Sequence, residues 1–201
     1  MVRTVFSDKV SIKLLKDKRK GTINLNSFDP ADIKQAVADA WQAAQSAAPD
    51  EAEGIAELQE NVSFSSGEGK PDLDLMYQQL TDLLADVRMD FPKISFDSIG
   101  VEHNYSEKVY ANTNGVRLSD EQGVYQLSNM FMAKDGDLTS SFNYFGTVYN
   151  DPAERVTESG RVRRLLDETQ QQIVTEQIEG SFTGDVVITP GCLENILWFV
   201  G

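Results

Sequence analysis

Between Ile94 and Tyr149 apolar and polar residues alternate with period two, and short polar runs interrupt the alternation. Ile99, Val101, His103 and Tyr105 share one parity, Val109 and Ala111 follow, and Asn112-Thr113-Asn114-Gly115 breaks the run. Val124 to Ala133 resumes it and Lys134-Asp135-Gly136-Asp137 breaks it again. Leu138 to Tyr149 closes it, with Phe142, Tyr144 and Val148 on one parity. Such alternation predicts strands with one buried face, and Asn-Gly and Asp-Gly supply the positive φ angles of hairpin turns. The stretch is expected to be an antiparallel meander.

Upstream, Val10 to Leu14 and Thr22 to Asn26 alternate on either side of a charged turn, Lys16 to Gly21. This predicts a hairpin with Ile12, Leu14, Ile23 and Leu25 facing the core. Asp29-Pro30 then marks a helix start, an N-cap followed by proline at the first helical position, with Asp32 favourable in the first turn. Ile33, Val37, Ala40, Trp41 and Ala44 recur at helical spacing and are expected to pack inward, Trp41 as core rather than as a ligand-stacking ring. Ala48 to Pro71 reads as a mobile surface loop with a short strand at Val62 to Phe64. A second helix carries Leu73, Met76, Leu80, Leu83, Leu84 and Val87 on one stripe and stops at Phe91-Pro92. After the meander, Asp151-Pro152 repeats the helix-start signal, and a polar helix with Val156, Val162, Leu165 and Leu166 is expected to end near Gln172. Ile173 to Phe182 gives no clear signal. Val186-Val187-Ile188 reads as a strongly β-branched strand before an apolar run from Leu193 to Val200, which suggests that more polypeptide follows Gly201. The order of elements predicts an α+β fold: an antiparallel or mixed sheet, hairpin plus meander, packed with two to three helices.

Charge narrows the partners. Against 18 basic residues stand 32 acidic ones, a net charge of -14 in 201 residues, which repels a phosphate backbone and argues against nucleic-acid binding. Lys13-Leu14-Leu15-Lys16-Asp17-Lys18-Arg19-Lys20 is the one candidate basic patch, and its ordinary reading is a solvated loop between two strands. With one cysteine, Cys192, no internal disulfide can form. No apolar run follows Met1 and no window is long enough to cross a bilayer, so a cytoplasmic location and no membrane contact are the expectation.

Counting ligands tests the catalytic templates. A metallopeptidase zinc site needs two histidines a helical turn apart with a glutamate beside them, and this chain has His103 alone, on a strand. His103 is therefore read as a structural or half-exposed residue. A serine triad would also need it, and Ser98 and Ser106 sit in no nucleophile-elbow context. Cys192 follows Pro190-Gly191 at a possible helix start, and is expected to be a small buried residue rather than a reactive thiol. Gly67-Glu68-Gly69-Lys70 lacks the context of a phosphate loop, and Asp135-Gly136-Asp137 lacks the alternate acids of a calcium loop. No catalytic, cofactor-binding or metal-binding residue is assigned.

Four stretches in sequence resemble the TldD/PmbA family, the modulators of DNA gyrase whose catalytic members are zinc peptidases. They are Asn24 to Ala47, a strand passing through Ser27-Phe28-Asp29 into an alanine-rich helix; the Tyr110-to-Val116 segment, similar to the family's Ala-Asn-Ser-x-Gly turn; the meander with Asp135-Gly136 and Asn143-Tyr144-Phe145; and Thr183 to Pro190, similar to its Gly-x-x-x-Val-Val-Leu-x-Pro segment. The resemblance implies a two-domain protomer, with residues 1–182 as the α+β N-terminal domain and 183–201 as the start of a truncated, mainly β C-terminal domain. In the family's metal-bearing branch a helix soon afterwards carries His-Glu-x-x-x-His. Here that position falls on Trp198-Phe199, which cannot coordinate a metal or act as a base. The departure resembles the PmbA-like (TldE-like) branch, whose members lack the ligands. It implies a non-catalytic subunit of a peptidase complex for proteolysis and peptide maturation. No cofactor is implied in this chain, and zinc only in a TldD-like metal-bearing partner. The implied partner is that TldD-like subunit or a second copy through the C-terminal domain, with unfolded peptides bound by strand addition. Two alternatives stay open. The chain could belong to a metal-dependent peptidase whose ligands lie beyond Gly201, or be an unrelated acidic binding or assembly domain, which burial of Leu197, Trp198 and Phe199 in its own core would favour.

Overall fold

A computed structural model describes residues 3–150, 155–158, 160–176, 180–181 and 183–200. The chain divides into two compact units: Met1–Asp72, Glu102–Gln126 and Val148–Asp151 form one, and Leu73–Val101, Leu127–Thr147 and Pro152–Gly201 the other.

The first unit begins with the expected hairpin, β1 (Val10–Lys16) and β2 (Arg19–Leu25), paired antiparallel from Val10↔Leu25 to Lys16↔Arg19. The strands run further than the charge pattern suggests, because the turn needs two residues only. Asp17 and Lys18 take φ of 51° and 61°, the left-handed pair that matches the twist of the flanking strands. Ile12, Leu14, Ile23 and Leu25 are half-buried, and their neighbours Ser11, Lys13, Thr22 and Asn24 are exposed.

Helix α1 (Pro30–Ser46) starts where Asp29-Pro30 predicts. The Asp29 carboxylate accepts from Ala31 N at 2.8 Å, and Ser27 Oγ donates to Asp32 at 2.6 Å. At the other end Arg19 of β2 donates to the Ala47 carbonyl at 2.5 Å, satisfying one of the orphan acceptors of a helix C-terminus. The buried stripe matches the expected one only at Ala40 and Ala44. Ala36, Ala40 and Ala44 are buried, whereas Val37 and Trp41 are exposed and Ile33 half-buried. The reason is distance: a Cβ on Gly21 of β2 would lie 1.9 Å from the Ala40 carbonyl oxygen. Backbones this close admit methyl groups and nothing larger, so the indole turns outward and carries Lys16 Nζ 4.5 Å above its ring.

The connection after α1 is held by polar contacts rather than running free. Glu53 takes Lys13 and Lys20, Ala56 O accepts from Asn112 and Asn114, and Asn61 Oδ1 accepts from Arg117 N at 2.7 Å. It leads into β3 (Val62–Ser66), which pairs parallel with β5 (Arg117–Asp135), Val62 opposite Leu118. The sheet is therefore mixed, not a pure meander. β5 also pairs with β4 (Ile94–Ala111), β6 (Leu138–Thr139) and β7 (Asn143–Tyr149). Alternation along β5 is strict: Gly123, Tyr125, Leu127, Asn129, Phe131 and Ala133 are all buried.

In the second unit α2 (Leu73–Asp90) ends one residue before Phe91-Pro92, and Leu83, Val87 and Phe91 are buried. Phe131 meets Phe96 and Phe145 edge-to-face, with centroids 5.9 and 6.0 Å apart. On β7 the buried parity is that of Phe145; Tyr144 and Val148, with Phe142 just before the strand, are exposed, opposite to the face their hydrophobicity suggests. Phe145 wins because it meets the Phe131 ring, which fixes the register. A one-turn 3-10 helix (Val156–Glu158) and α3 (Gly160–Gln171) follow, with Val162, Leu166, Thr169 and Ile173 buried. Asp86 of α2 accepts from Thr157 and pairs with Arg155, and Asp90 pairs with Arg163 at 2.7 Å. Asp151-Pro152 lies outside the described residues.

The predicted strand at Val186-Val187-Ile188 does not form. These residues have no ladder partner among the described residues, and without one a β-branched run gains nothing from extension. Val186 and Val187 are exposed, and α4 (Pro190–Val200) follows, making four α-helices among the described residues rather than two or three. The fold class is α+β, as the order of elements predicts.

Two substitutions test this packing. Gly21→Ala drives a methyl into the α1 backbone and is expected to cost at least about 2 kcal/mol in urea unfolding. Asn129 is buried with neither amide atom hydrogen-bonded among the described residues. Asn129→Leu, which removes the uncompensated polar group at similar volume, is expected to raise stability by about 1 kcal/mol in the same measurement.

Candidate functional site

A polar and aromatic grouping of the first unit lies where residues 67–72 meet β5. Gly67 has φ of 69°, and a Cβ on it would lie 1.8 Å from Gly123 O. A Cβ on Gly123 would in turn lie 1.9 Å from Glu68 O. Beneath this crossing His103 of β4 directs Nε2 to the Glu68 carbonyl at 2.8 Å, so that nitrogen carries the proton and donates. Its ring stands 4.7 Å from that of Tyr125, which stacks on Tyr149 with centroids 5.9 Å apart. Tyr125 is 1% exposed, and its hydroxyl accepts from Asp72 N at 2.9 Å. Tyr105, farther along β4, has its phenol pushed above the usual tyrosine value by partial burial first, then by the charges of Glu121 and Glu107.

The contacts of this grouping tie elements of the fold together. The Nε2 of His103 is occupied by a main-chain carbonyl, and the residue is half-buried. No group of three or more His, Cys, Asp or Glu side chains that could hold a metal ion occurs among the described residues. Asp135 pairs with Lys93 at 2.7 Å, consistent with an ordinary turn at Gly136. Cys192 departs from expectation: it is exposed on the first turn of α4, not buried.

Asn112 organises the next turn. Its Oδ1 accepts from Asn114 N at 3.0 Å and Val116 N at 3.2 Å, while its Nδ2 donates to Ala56 O at 2.9 Å. One side chain thus closes the turn and holds the incoming loop, which explains why an asparagine stands there.

The basic run is not a free patch. Lys13, Lys16, Arg19 and Lys20 sit in β1 and β2 rather than in a solvated loop, and each has a partner: Glu53 for Lys13 and Lys20, Trp41 for Lys16, Ala47 O for Arg19. Hydrogen bonds from Lys13 and Lys20 hold the Glu53 carboxyl below the usual glutamate range, and Glu53 raises Lys20.

No family model matches this sequence, and no curated protein does. Solved structures match by fold. TldE from Thermococcus kodakarensis aligns with a TM-score of 0.60 at 17% identity, over 82% of this chain and 37% of that one. A putative modulator of a DNA gyrase from Thermotoga maritima MSB8 aligns with a TM-score of 0.55 at 15% identity, over 82% and 36%. The chain therefore spans a little over a third of the length of these structures, and what it shares with them is the fold.

The Glu53 cluster gives a pH prediction. A carboxyl held low when folded stabilises above its unfolded value, and that contribution is lost as pH falls through the folded value. Glu53→Gln should therefore flatten part of the acid limb of the stability–pH curve below the ordinary glutamate range. An NMR titration should show Glu53 protonating below the ordinary glutamate range.

Proposed function

We propose that this chain belongs to a non-catalytic, TldE/PmbA-like subunit of a TldD/PmbA-type metallopeptidase complex that acts in proteolysis and peptide maturation. The observation that carries this reading is the fold shared with TldE over 82% of the chain, joined to a composition with one histidine. A hydrolytic zinc site of the His-Glu-x-x-x-His type needs two imidazoles, and His103 spends its Nε2 on the Glu68 carbonyl. In this reading zinc and the general base come from a TldD-like partner, and this subunit helps to enclose the peptide and present it in extended form.

Leu197, Trp198 and Phe199 are 62%, 84% and 95% exposed, so the burial that would favour an unrelated acidic binding domain is not found. No helix among the described residues is long and apolar enough to cross a membrane. The reading places the complex in the cytoplasm, away from nucleic acid.

The test is metal analysis with a peptidase assay. The protein purified alone is expected to carry well under one equivalent of zinc and to leave an unfolded peptide uncut. Co-purified with a TldD-like subunit, the pair should hold zinc and cut the peptide, and alanine in place of that subunit's metal-binding histidines should abolish cutting. Stoichiometric zinc or peptidase activity in the lone protein would overturn the proposal.

A further inference from the structure

Asn114-Gly115 is the one Asn-Gly step in the sequence, and it lies in the turn between β4 and β5. Asparagine is thermolabile because the next main-chain nitrogen can attack its side-chain amide carbon. A following glycine makes that attack easiest, since no Cβ screens the nitrogen. Gly115 takes φ of 90°, and both residues are exposed, so water reaches the site. Two hydrogen bonds hold the reacting groups in the folded turn. Gly115 N donates to Asn112 O at 3.2 Å, at the long end of the usual range, and Asn114 Nδ2 donates to Ala56 O at 3.0 Å. The second bond gives the site a structural consequence. Asn112 Nδ2 donates to the same Ala56 carbonyl at 2.9 Å, so two side-chain amides of the turn converge on one acceptor of the incoming loop.

We propose that Asn114 is a self-modification site, and that its conversion to an acid loosens the loop held at Ala56. In the first step Gly115 N bonds to Asn114 Cγ and the Cγ–Nδ2 bond breaks. Nδ2 leaves as ammonia, taking the proton that Gly115 N gives up. Water then adds to one of the two carbonyls of the five-membered imide and opens it, leaving aspartate or isoaspartate. Either product carries a carboxylate, which accepts hydrogen bonds and cannot donate one. The bond to Ala56 O is thereby replaced by two acceptors facing each other, and a chain of net charge -14 gains one more negative charge. Isoaspartate also adds a carbon to the main chain between Asn114 N and Val116 N, the two donors that Asn112 Oδ1 holds at 3.0 and 3.2 Å. Because ammonia is lost, the change runs one way. The inference does not depend on the proposed peptidase role.

The test incubates the folded protein in mildly alkaline buffer for several days and separates the more acidic product by ion exchange. Peptide mapping with isoaspartate-specific methylation is expected to place the new charge at Asn114, ahead of the exposed Asn24 and Asn104, which precede bulky residues. A glutamate-specific protease then reads the loop at Glu57, the residue after Ala56, because cutting there requires the loop to open. The separated product should be cut at Glu57 about five-fold faster than untreated protein, the effect of one lost hydrogen bond. Asn114→Asp should be cut equally fast without incubation, with the thermal midpoint lowered by a few degrees at most. Asn114→Gln, whose imide would need a six-membered ring, should show no new charge at this position. Conversion at Asn114 no faster than at Asn24 and Asn104, or a new charge that persists at this position in Asn114→Gln, overturns the proposal. So does an Asn114→Asp chain that is cut at Glu57 at the wild-type rate or fails to fold.

Discussion

The structure depends on the buried edge of one strand. β5 pairs with β3, β4, β6 and β7, and every second residue from Gly123 to Ala133 faces inward. Because side chains alternate, a slip of one residue would turn Tyr125, Leu127 and Phe131 outward and bring Gln126 and Ser128 in. Different neighbours enforce the same register at different points. Gly123 must meet the crossing main chain, Tyr125 must reach Asp72, and Phe131 must sit between Phe96 and Phe145. The buried Asn129 is the one member of this row whose polar atoms go unpaired among the described residues.

Period-two alternation with turn residues located the long strands, and Asp29-Pro30 and Phe91-Pro92 located a helix start and a helix end, since both signals act within a few residues. What sequence pattern missed was decided by distance between elements. Helical spacing found Ala40 and Ala44 of the α1 stripe but missed Ala36 and turned Val37 and Trp41 inward, because hydrophobicity favours large side chains, whereas the approach of Ala40 to Gly21 forbids them. The inward face of β7 was misjudged likewise: Phe142, Tyr144 and Val148 do not outweigh a ring that meets Phe131. The Val186–Ile188 strand failed because propensity describes a residue, and a strand needs a neighbour.

The His103 grouping was half legible. Its strand and its half-buried position followed from the parity it shares with Ile99 and Val101. Its partners did not, because Glu68 is 35 residues away and acts through a carbonyl that every residue possesses. The signal that could have found it was Gly67 and Gly69 in a serine-rich run, with Gly123 inside an otherwise regular strand; an isolated strand glycine marks a close backbone approach. Asn112 was easier to see as a turn residue, yet its second role, holding Ala56, is carried by a long-range contact that spacing does not reveal.

The parallel pairing of β3 with β5 has a consequence for how the chain acquires its shape. Ser63 and Ser119 join hydroxyls at 2.8 Å across a separation of 56 residues, and all of α2 and β4 lie between them. Closing so large a loop sacrifices chain entropy before any contact compensates, and non-local pairings of this kind slow folding. On a nascent chain β3 must wait for β5 to emerge, and during that interval Val62 and Phe64 stand on an unpaired strand edge, the kind of surface on which early association between chains begins.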